Sequence, residues 1–311
     1  MAIDMPLINK YRPSSFEEFF GNEEIVGSLH RALNAPSQPH SYLLTGPSGI
    51  GKTTMARIIA KTLEADVMEI DAASNNGIEA MRELVELGNY ASLSGRGKRM
   101  FIIDECHMLS RSAWNAILKL LEEPPAHLYI ALCTTERNKV LETIVTRCFH
   151  ISLRPIKPNE MQEFLDTICE IEGWSPPIEV VSAVVQAATG QPRKALSLMQ
   201  AVHDVTSRDE VFRIISLMEA SEPMTDLLKA LLKGVTDWTT IQALLGKVEE
   251  DNWDEAMVGA CRYVMAAMLT GTATNAKKAW GILDALVFPN STFDKKAAFF
   301  AAVGRIHWDN N

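Results

Sequence analysis

The chain has 311 residues, of which 47% are hydrophobic and 22% charged, a composition that excludes a disordered tail and allows two or three domains. No apolar run approaches the roughly 18–20 residues that span a bilayer, and the start of the chain lacks the apolar stretch of a signal peptide. We therefore expect a cytoplasmic protein that is neither secreted nor inserted in a membrane. The net charge of −9 argues against a protein coated in positive charge for nucleic acid, so any contact with DNA must be local.

The first half of the chain alternates strand-like and helix-like segments, whereas the second half has only helical patterns. Strands are predicted at 41–45, 66–72, 98–104, 127–135 and 148–153, and the helices between them at 53–65, 77–91 and 112–123. Repeated β-then-α units favour a parallel, doubly wound sheet. We predict an α/β domain over 1–153, a small helical domain over 154–219 and an all-α domain over 220–311. The two helical parts can also form one domain, because sequence alone places their boundary poorly.

A phosphate-loop pattern, GxxxxGK[ST], follows the first predicted strand. It runs from Gly46 to Thr53 as GPSGIGKT and opens a predicted helix. Glycines permit positive φ and let backbone N–H groups approach phosphates, and the helix N-terminus adds partial positive charge. Lys52 can reach the β- and γ-phosphates, and the Thr53 hydroxyl suits Mg²⁺. The alternative, a chance glycine-rich turn, does not explain a strand, a loop and a helix in this order.

Two carboxylates, Asp104 and Glu105, end the third predicted strand. Ligands of open α/β sheets bind outside the carboxyl ends of the strands. Asp104 is therefore a candidate for the Mg²⁺ shell, through water, and Glu105 for the acid that orients and polarises the attacking water. The alternative is a strand that merely ends in solvated acids, and the phosphate loop upstream argues against it.

Three further positions acquire a meaning only beside a nucleotide site. Thr134-Thr135 closes the next predicted strand, where a hydroxyl can face the γ-phosphate or the water. Arg147 lies in TRC just before the last strand, and Arg193 opens a helix within GQPRKAL. Taken alone, the threonines read as a strand end and the two arginines as surface cations.

In this order, the motifs resemble the AAA+ ATPases of sliding-clamp loaders. The bacterial DNA polymerase III gamma/tau subunits are the most similar members, while replication factor C small subunits and T4-type phage clamp-loader ATPases are more distant. The segments that carry the resemblance are KYRP (10–13), FGN (20–22), IDAAS (70–74), DECHMLSRSAWNAILKLLEEPP (104–125) and CTTERNKV (133–140). The resemblance spans about residues 8–205, and beyond them only helical character and length agree.

The resemblance implies an ATPase that uses ATP and Mg²⁺. The residues it makes catalytic are Lys52 on the phosphates, Glu105 on the water, Thr135 as γ-phosphate sensor, Arg193 as lid sensor, and Arg147 as an arginine finger on the ATP of a neighbouring subunit. The residues it assigns to ATP binding are Ile8, Asn9, Lys10, Tyr11, Phe20, Gly49, Ile50, Gly51, Lys52, Thr53, Thr54 and Arg193. Thr53 and Asp104 become the Mg²⁺ ligands. The small helical domain becomes a lid and the last domain an oligomerisation collar.

The chain departs from the bacterial members of the family in two places. Their four-cysteine zinc module is absent, because only residues 55–66, without a cysteine, join the phosphate-loop helix to the IDAAS strand. The long C-terminal extension of tau is also missing, so tethering of a helicase or polymerase through it is not expected. The five cysteines form no CxxC pair, and we expect neither a disulfide framework nor bound zinc. Such a compact form suits a phage or another reduced replisome.

Contacts with DNA are assigned to two arginines. Arg82 follows IDAAS where the family points an arginine at the template backbone, and Arg111 stands at a helix start, where it can bind phosphate. Solvated surface arginines are the alternative for both. His107 in DECH is interpreted as structural. The apolar residues of the helix after Arg111 are interpreted as core rather than as a clamp contact: Trp114, Ile117, Leu118 and Leu121.

The resemblance therefore implies an ATP-hydrolysing motor subunit of a sliding-clamp loader in DNA replication. ATP binding opens the clamp and places it on primer–template DNA, and hydrolysis releases both. The implied partners are other clamp-loader subunits in a pentameric ring, the clamp and the DNA, in a bacterial or phage-infected cytoplasm and without a membrane. The alternatives are another AAA+ DNA remodeller (a helicase loader or a Holliday-junction motor) and a non-hydrolysing scaffold subunit of the same complex. A scaffold is expected to have lost the phosphate loop or the two acids, which are all present.

Overall fold

The protein is represented by a computed structural model that describes residues 5–91, 97–219, 222–234, 237–248, 253–270, 273–287 and 294–309. The chain divides into two compact units. The first contains residues 1–168 and 188–200, and the second contains residues 169–187 and 201–311. None of the described helices combines the length and the apolarity that crossing a bilayer requires.

A five-stranded parallel sheet forms the centre of the first unit. Its strands are β1 Ser41–Thr45, β2 Asp66–Asp71, β3 Arg99–Asp104, β4 Leu128–Thr134 and β5 Phe149–Ser152. They are arranged in the order β2-β3-β4-β1-β5, and every neighbouring pair is parallel. The prediction of an α/β fold with a parallel sheet is confirmed, and each strand lies within two residues of its predicted bounds.

Helices cover both faces of this sheet. Those that lie wholly in the first unit up to β5 are α1 Leu7–Lys10, α2 Glu23–Leu33, α3 Lys52–Thr62, α4 Ile78–Gly88, α5 Arg111–Glu122 and α6 Glu142–Val145. Short 3₁₀ turns lie at Cys106–Met108 and Arg137–Lys139. Helices α3, α4 and α5 were predicted from the sequence, whereas α2, an amphipathic helix that buries Leu29 and Leu33, was not.

The two faces of the sheet carry separate apolar clusters because successive side chains of a strand point to opposite sides. On β3, Met100 and Ile102 join the cluster that includes residues of α2 and α3, whereas Phe101 and Ile103 join the cluster that includes residues of α4 and α5. The second cluster contains Trp114, Ile117 and Leu121, and the partly buried Leu118 packs against it. The interpretation of these four residues as core is therefore confirmed.

All described elements after β5 are helices, as the sequence predicts. They are α7 Pro158–Glu172, α8 Ile178–Ala188, α9 Pro192–Val202, α10 Arg208–Glu219, α11 Glu222–Lys233, α12 Trp238–Leu245, α13 Trp253–Thr270, α14 Ala273–Val287 and α15 Lys295–Asp309. Residues of α11 to α15 form one buried cluster in the second unit, with Leu227, Leu228, Ile241, Val264 and Phe299 among its members.

Residues 188–200 are grouped with the first unit, although they lie in the predicted lid. Two hydrogen bonds explain this grouping: Ile156 N donates to Gly190 O at 2.9 Å, and Leu7 N donates to Gln200 Oε1 at 3.0 Å. Hydrogen bonds therefore join both the turn before α9 and the last turns of this helix to the first unit. The division into three domains at 153/154 and 219/220 stays a prediction.

Replacing a buried leucine of the sheet should destabilise the first unit far more than replacing an exposed one. Leu132 is 0% exposed on β4, whereas Leu87 on α4 is 42% exposed. Leu132→Ala should lower the free energy of unfolding by about 2–5 kcal/mol, because it leaves a cavity between strand and helix. Leu87→Ala should change it by less than about 0.5 kcal/mol. Urea titrations of both variants measure the difference, and equal losses would contradict the assigned core.

Candidate active site

The phosphate-loop segment joins β1 to α3 at the carboxyl edge of the sheet. Gly46 has φ 147°, and a Cβ there would lie 2.5 Å from the Leu153 carbonyl oxygen. Gly51 has φ 103°, and a Cβ there would lie 3.0 Å from the Phe19 ring. Other residues would be strained at both positions, so the loop shape requires glycine. Helix α3 begins at Lys52, and its first turn leaves backbone N–H groups for an anion.

Lys52 is a buried cation inside this loop. Its side chain is held by two loop carbonyls, because Nζ donates to Gly46 O at 3.0 Å and to Pro47 O at 2.9 Å. The residue is only 6% exposed. Burial lowers the pKa of Lys52, against the opposing attraction of the Glu105 and Asp104 carboxylates. An ammonium group in such a place is ready to receive the negative charge of a phosphate.

A hydroxyl and a carboxylate meet where α3 faces the end of β3. Thr53 Oγ1 donates to Asp104 Oδ2 at 2.6 Å, and the other carboxylate oxygen accepts from Glu105 N at 3.0 Å. Hydroxyl and carboxylate oxygens are ligands that Mg²⁺ prefers, so this donor set fits the ion. Asp104 and Thr53, predicted together from positions far apart in the chain, are therefore neighbours in the structure.

Glu105 stands immediately after β3 in an unusual backbone conformation. Its φ is 46°, in the left-handed region that non-glycine residues seldom adopt. Residues with such a backbone conformation cluster at functional sites. Thr135, which follows β4, approaches it with Oγ1 at 3.4 Å from Glu105 Oε2. The two residues predicted to face the reacting water thus come together at the ends of neighbouring strands.

These groups line a cleft of about 300 Å³. Part of its lining is polar and comes from the phosphate loop, Asp104 and Glu105. The rest of the lining includes apolar and aromatic residues: Ile8, Tyr11, Pro13, Phe19, Phe20, Phe164, Pro192 and Leu196. The rings of Phe20 and Phe164 lie 5.2 Å apart. A flat apolar ring beside a polyphosphate fits this division of the cleft.

The predicted ATP-binding residues agree with the cleft except at two positions. Those that line it are Ile8, Tyr11, Phe20, Gly49, Ile50, Gly51, Lys52, Thr53, Thr54 and Arg193. Asn9 and Lys10 are exposed and are not among the lining residues. The reason is the phase of α1, in which residues three apart, such as Ile8 and Tyr11, share a face and the two between them point elsewhere. The assignment of Asn9 and Lys10 to ATP binding stays a prediction that the lining of the cleft does not support.

The cleft also contains a pair of charged residues that was not predicted from the sequence. Arg57 forms an ion pair and two hydrogen bonds with Glu69, and both residues line the cleft. The hydrogen bonds raise the pKa of Arg57. Arg57 follows Thr53 by four residues, so helical spacing alone predicts that it shares the face of α3 that meets the site. The position of Glu69 on the edge strand β2 depends on the sheet order.

Arg193 lies beside the phosphate loop although it is far from it in the chain. It is the second residue of α9, its N donates to Gly49 O at 3.3 Å, and its side chain lines the cleft. A lid-type sensor needs this closeness to the phosphates.

Arg147, in contrast, is not among the residues that line the cleft of its own chain. Its Nη2 pairs with Glu122 Oε1 at 2.6 Å, and its Nη1 donates to Thr143 O at 2.6 Å. Its side chain is about one third exposed. The assignment of Arg147 as an arginine finger on a neighbouring subunit stays a prediction.

The two predicted DNA contacts are surface residues on different helices. Arg82 is exposed on α4, and Arg111 is exposed as the first residue of α5. The N-terminus of α5 is capped by Ser110, whose Oγ accepts from Ala113 N at 3.2 Å. Both arginines are accessible to a phosphate backbone, and their role stays a prediction.

No group of three or more His, Cys, Asp or Glu side chains that could hold a metal ion occurs within the described part of the chain. All five cysteines are free thiols. Burial raises the pKa of Cys148 to about 12, which disfavours the thiolate that zinc requires. The expected absence of zinc stays a prediction.

The buried charge of Lys52 should destabilise the nucleotide-free protein. Because folding lowers its pKa, the ammonium carries a penalty at every pH below the folded pKa, and that penalty disappears as the pH rises to the ordinary lysine value. Lys52→Met should therefore raise the free energy of unfolding near neutral pH, and the gain should shrink in alkaline buffer. Urea titrations at both pH values measure it.

Lys61→Met is the matched control, since Lys61 is exposed on the same helix and donates to Ser14 Oγ at 3.2 Å. It should change the free energy of unfolding little. A loss of stability in Lys52→Met near neutral pH would show that the two carbonyl hydrogen bonds outweigh the cost of burial.

Comparisons with known protein sequences relate the chain to subunits of DNA polymerase III. The profile of the family described as "DNA polymerase III, delta subunit" matches residues 64–157. The gamma/tau subunit of DNA polymerase III from Mycobacterium tuberculosis is 39% identical over 221 residues, which cover 63% of this chain and 38% of the relative. The gamma subunit from Buchnera aphidicola (Schizaphis graminum) is 35% identical over 218 residues, covering 62% of this chain and 60% of the relative. The chain thus spans less than two thirds of the length of these relatives.

Among solved structures, the Thermotoga maritima RuvB Holliday junction branch migration motor aligns with a TM-score of 0.59 and 22% identity, covering 85% of this chain and 94% of that one. At this identity the likeness supports the fold alone. The resemblance drawn from the motifs is confirmed: the chain is a homologue of the DNA polymerase III gamma/tau subunits.

Proposed function

We propose that the chain is an ATP-hydrolysing motor subunit of a sliding-clamp loader that acts in DNA replication. The observation that carries the proposal is the meeting of Lys52, the Thr53–Asp104 pair and Glu105 in one cleft. The homology to gamma/tau subunits supports the biological setting. The intact phosphate loop and acids argue against a non-hydrolysing scaffold subunit.

Each residue then has a physical task in hydrolysis. Lys52 offsets phosphate charge, and Thr53 and Asp104 would hold Mg²⁺. When bound, that ion supplies positive charge that neutralises charge developing on the phosphates. Glu105 orients and polarises the attacking water. Thr135 Oγ1, 3.4 Å from Glu105 Oε2, helps to hold this carboxylate. Ile8, Tyr11 and Phe20 receive the base, and Arg193 senses the phosphates from the lid.

A further positive charge for hydrolysis would come from an arginine of a neighbouring subunit. We propose that Arg147 reaches the ATP of a neighbouring subunit in a ring, which makes hydrolysis depend on correct assembly. The ring is proposed as a pentamer with other clamp-loader subunits in a bacterial or phage-infected cytoplasm.

Although the chain is acidic, several copies that direct Arg82 and Arg111 into one channel would contact primer–template DNA locally.

The clamp-loader proposal and the alternative of another AAA+ DNA remodeller differ in one measurable property. A clamp loader should hydrolyse ATP faster when primed DNA and its sliding clamp are added together. A Holliday-junction motor or helicase loader does not need a clamp. ATPase assays of the assembled complex, with each addition alone and with both, separate the two, and an unchanged rate on adding the clamp would contradict the proposal.

Glu105→Gln should separate ATP binding from ATP hydrolysis. The amide keeps the shape of the side chain but loses the charge that polarises water, so nucleotide affinity should persist while turnover falls by about 100-fold or more. Lys52→Ala should instead weaken ATP binding itself. Equilibrium binding of ATP and steady-state hydrolysis measure the two effects. Glu123→Gln, at the exposed end of α5, is the control and should match the wild type. Wild-type turnover in Glu105→Gln would refute the role of Glu105.

Arg147→Ala tests whether the arginine acts on a neighbouring subunit. The variant should bind ATP normally, because its own phosphate loop is untouched, but its complex should lose most hydrolysis. Mixing Arg147→Ala with Lys52→Ala subunits should restore part of the activity, since some interfaces then pair an intact loop with an intact arginine. Steady-state ATPase assays of the mixtures measure this recovery.

Arg137→Ala is the control for loss of a surface ion pair, because Arg137 pairs with Glu142 in the same region. It should leave hydrolysis unchanged. If the mixed complexes assemble normally by sedimentation but recover no activity, the action of Arg147 across subunits is excluded.

A further inference from the structure

His107 connects the proposed catalytic carboxylate to the protein around it. It lies in the 3₁₀ turn Cys106–Met108 directly after Glu105, and its side chain is 8% exposed. Ring Nδ1 lies 3.0 Å from Thr134 Oγ1 and 3.4 Å from Glu105 Oε2. Ring Nε2 lies 3.2 Å from Glu136 Oε1. The imidazole therefore stands between two carboxylates, one in the cleft and one at the surface.

The hydrogen-bonding capacity of the neighbours fixes the orientation of the ring. Glu136 accepts from Lys139 Nζ at 2.8 Å, and this contact lowers the pKa of Glu136, so a carboxylate oxygen faces Nε2 of the ring. Thr134 is completely buried, and its hydroxyl oxygen accepts from Glu136 N at 2.9 Å. Because a hydroxyl both donates and accepts, Thr134 can pair with Nδ1 in either protonation state of that nitrogen. The ring is thus anchored on both sides.

We propose that His107 is a positioning residue for Glu105. The anchored ring presents Nδ1 to Glu105 Oε2 at 3.4 Å, the same oxygen that Thr135 Oγ1 approaches at 3.4 Å. The contact holds the carboxylate where Nδ1 carries a proton, because an unprotonated Nδ1 would be a second acceptor. These two contacts restrict rotation of the Glu105 carboxylate, and the backbone of Glu105 is already in the left-handed region. The inference rests on the proposed function, because it assumes that Glu105 orients the water.

The proposal distinguishes the two ring nitrogens, and two amide substitutions test them separately. Asparagine places its amide near the position of Nδ1, facing Thr134 and Glu105. Glutamine reaches towards the position of Nε2, facing Glu136. If His107 positions Glu105, His107→Asn should retain most of the turnover and His107→Gln should not. A residue that only anchors the segment after β4 through Glu136 would give the opposite order.

The expected result with His107→Ala is a fall in kcat of about 10- to 100-fold at unchanged ATP affinity, because a misplaced carboxylate affects the reaction and not the binding of phosphates. The control is His127→Ala. His127 is half-buried in the same unit, and its Nε2 contacts Gly88 O at 3.0 Å, away from the cleft. His127→Ala should keep the wild-type kcat and the wild-type affinity for ATP.

A measurement without nucleotide completes the test. In ¹⁵N spectra of the histidine rings, Glu105→Gln should shift the Nδ1 resonance of His107 and leave that of His127 unchanged, with assignments from the His107→Asn variant. An unmoved resonance, wild-type kcat in His107→Ala, or equal losses in the Asn and Gln variants would each overturn the proposal. If the wild type is active and Glu105→Gln is not, such a result refutes His107 alone. An inactive wild-type complex refutes the proposed function instead.

Discussion

The hydrogen bond from Thr53 Oγ1 to Asp104 Oδ2, 2.6 Å long, joins the two parts on which the site depends. One part is the loop and first turn of α3, which supply N–H groups and Lys52 for phosphates. The other is the end of β3, which supplies the carboxylates. The bond exists because parallel strands end at one edge of the sheet, so that residues distant in the chain arrive at the same place. The other polar groups of the cleft are arranged around it.

The same arrangement places unfavourable features at the centre of the first unit. A lysine is buried with its charge, and a glutamate has a left-handed backbone. Strain and buried charge persist only where the surrounding structure holds them in place. Here the two apolar clusters on either side of the sheet do so. A bound polyphosphate would relieve the Lys52 penalty, so the protein and its proposed ligand stabilise each other.

Charge is divided between the cleft and the surface. The cleft combines Lys52, Arg57 and Arg193 with acids, whereas Arg147 lies outside and pairs with Glu122. Such a half-exposed pair is weak, so a stronger anion can displace Glu122 at little cost. This property suits the proposed finger, which would leave its own acid for the phosphates of another subunit. An overall charge of −9 is compatible with local contacts of this kind.

The parallel α/β unit, the phosphate loop, the acids after β3 and the helical second half could be predicted from the sequence, because they depend on local periodicity and on glycine spacing. Thr135 and Glu105 were predicted at the ends of two strands of one sheet, but the order of the strands in the folded sheet makes them neighbours. Folding also leaves Asn9 and Lys10 outside the lining of the cleft. It also placed Glu69 against Arg57, and His107 against Glu105, Thr134 and Glu136. These contacts join segments whose distance depends on strand order and helix packing, and neither leaves a periodic signal in the chain.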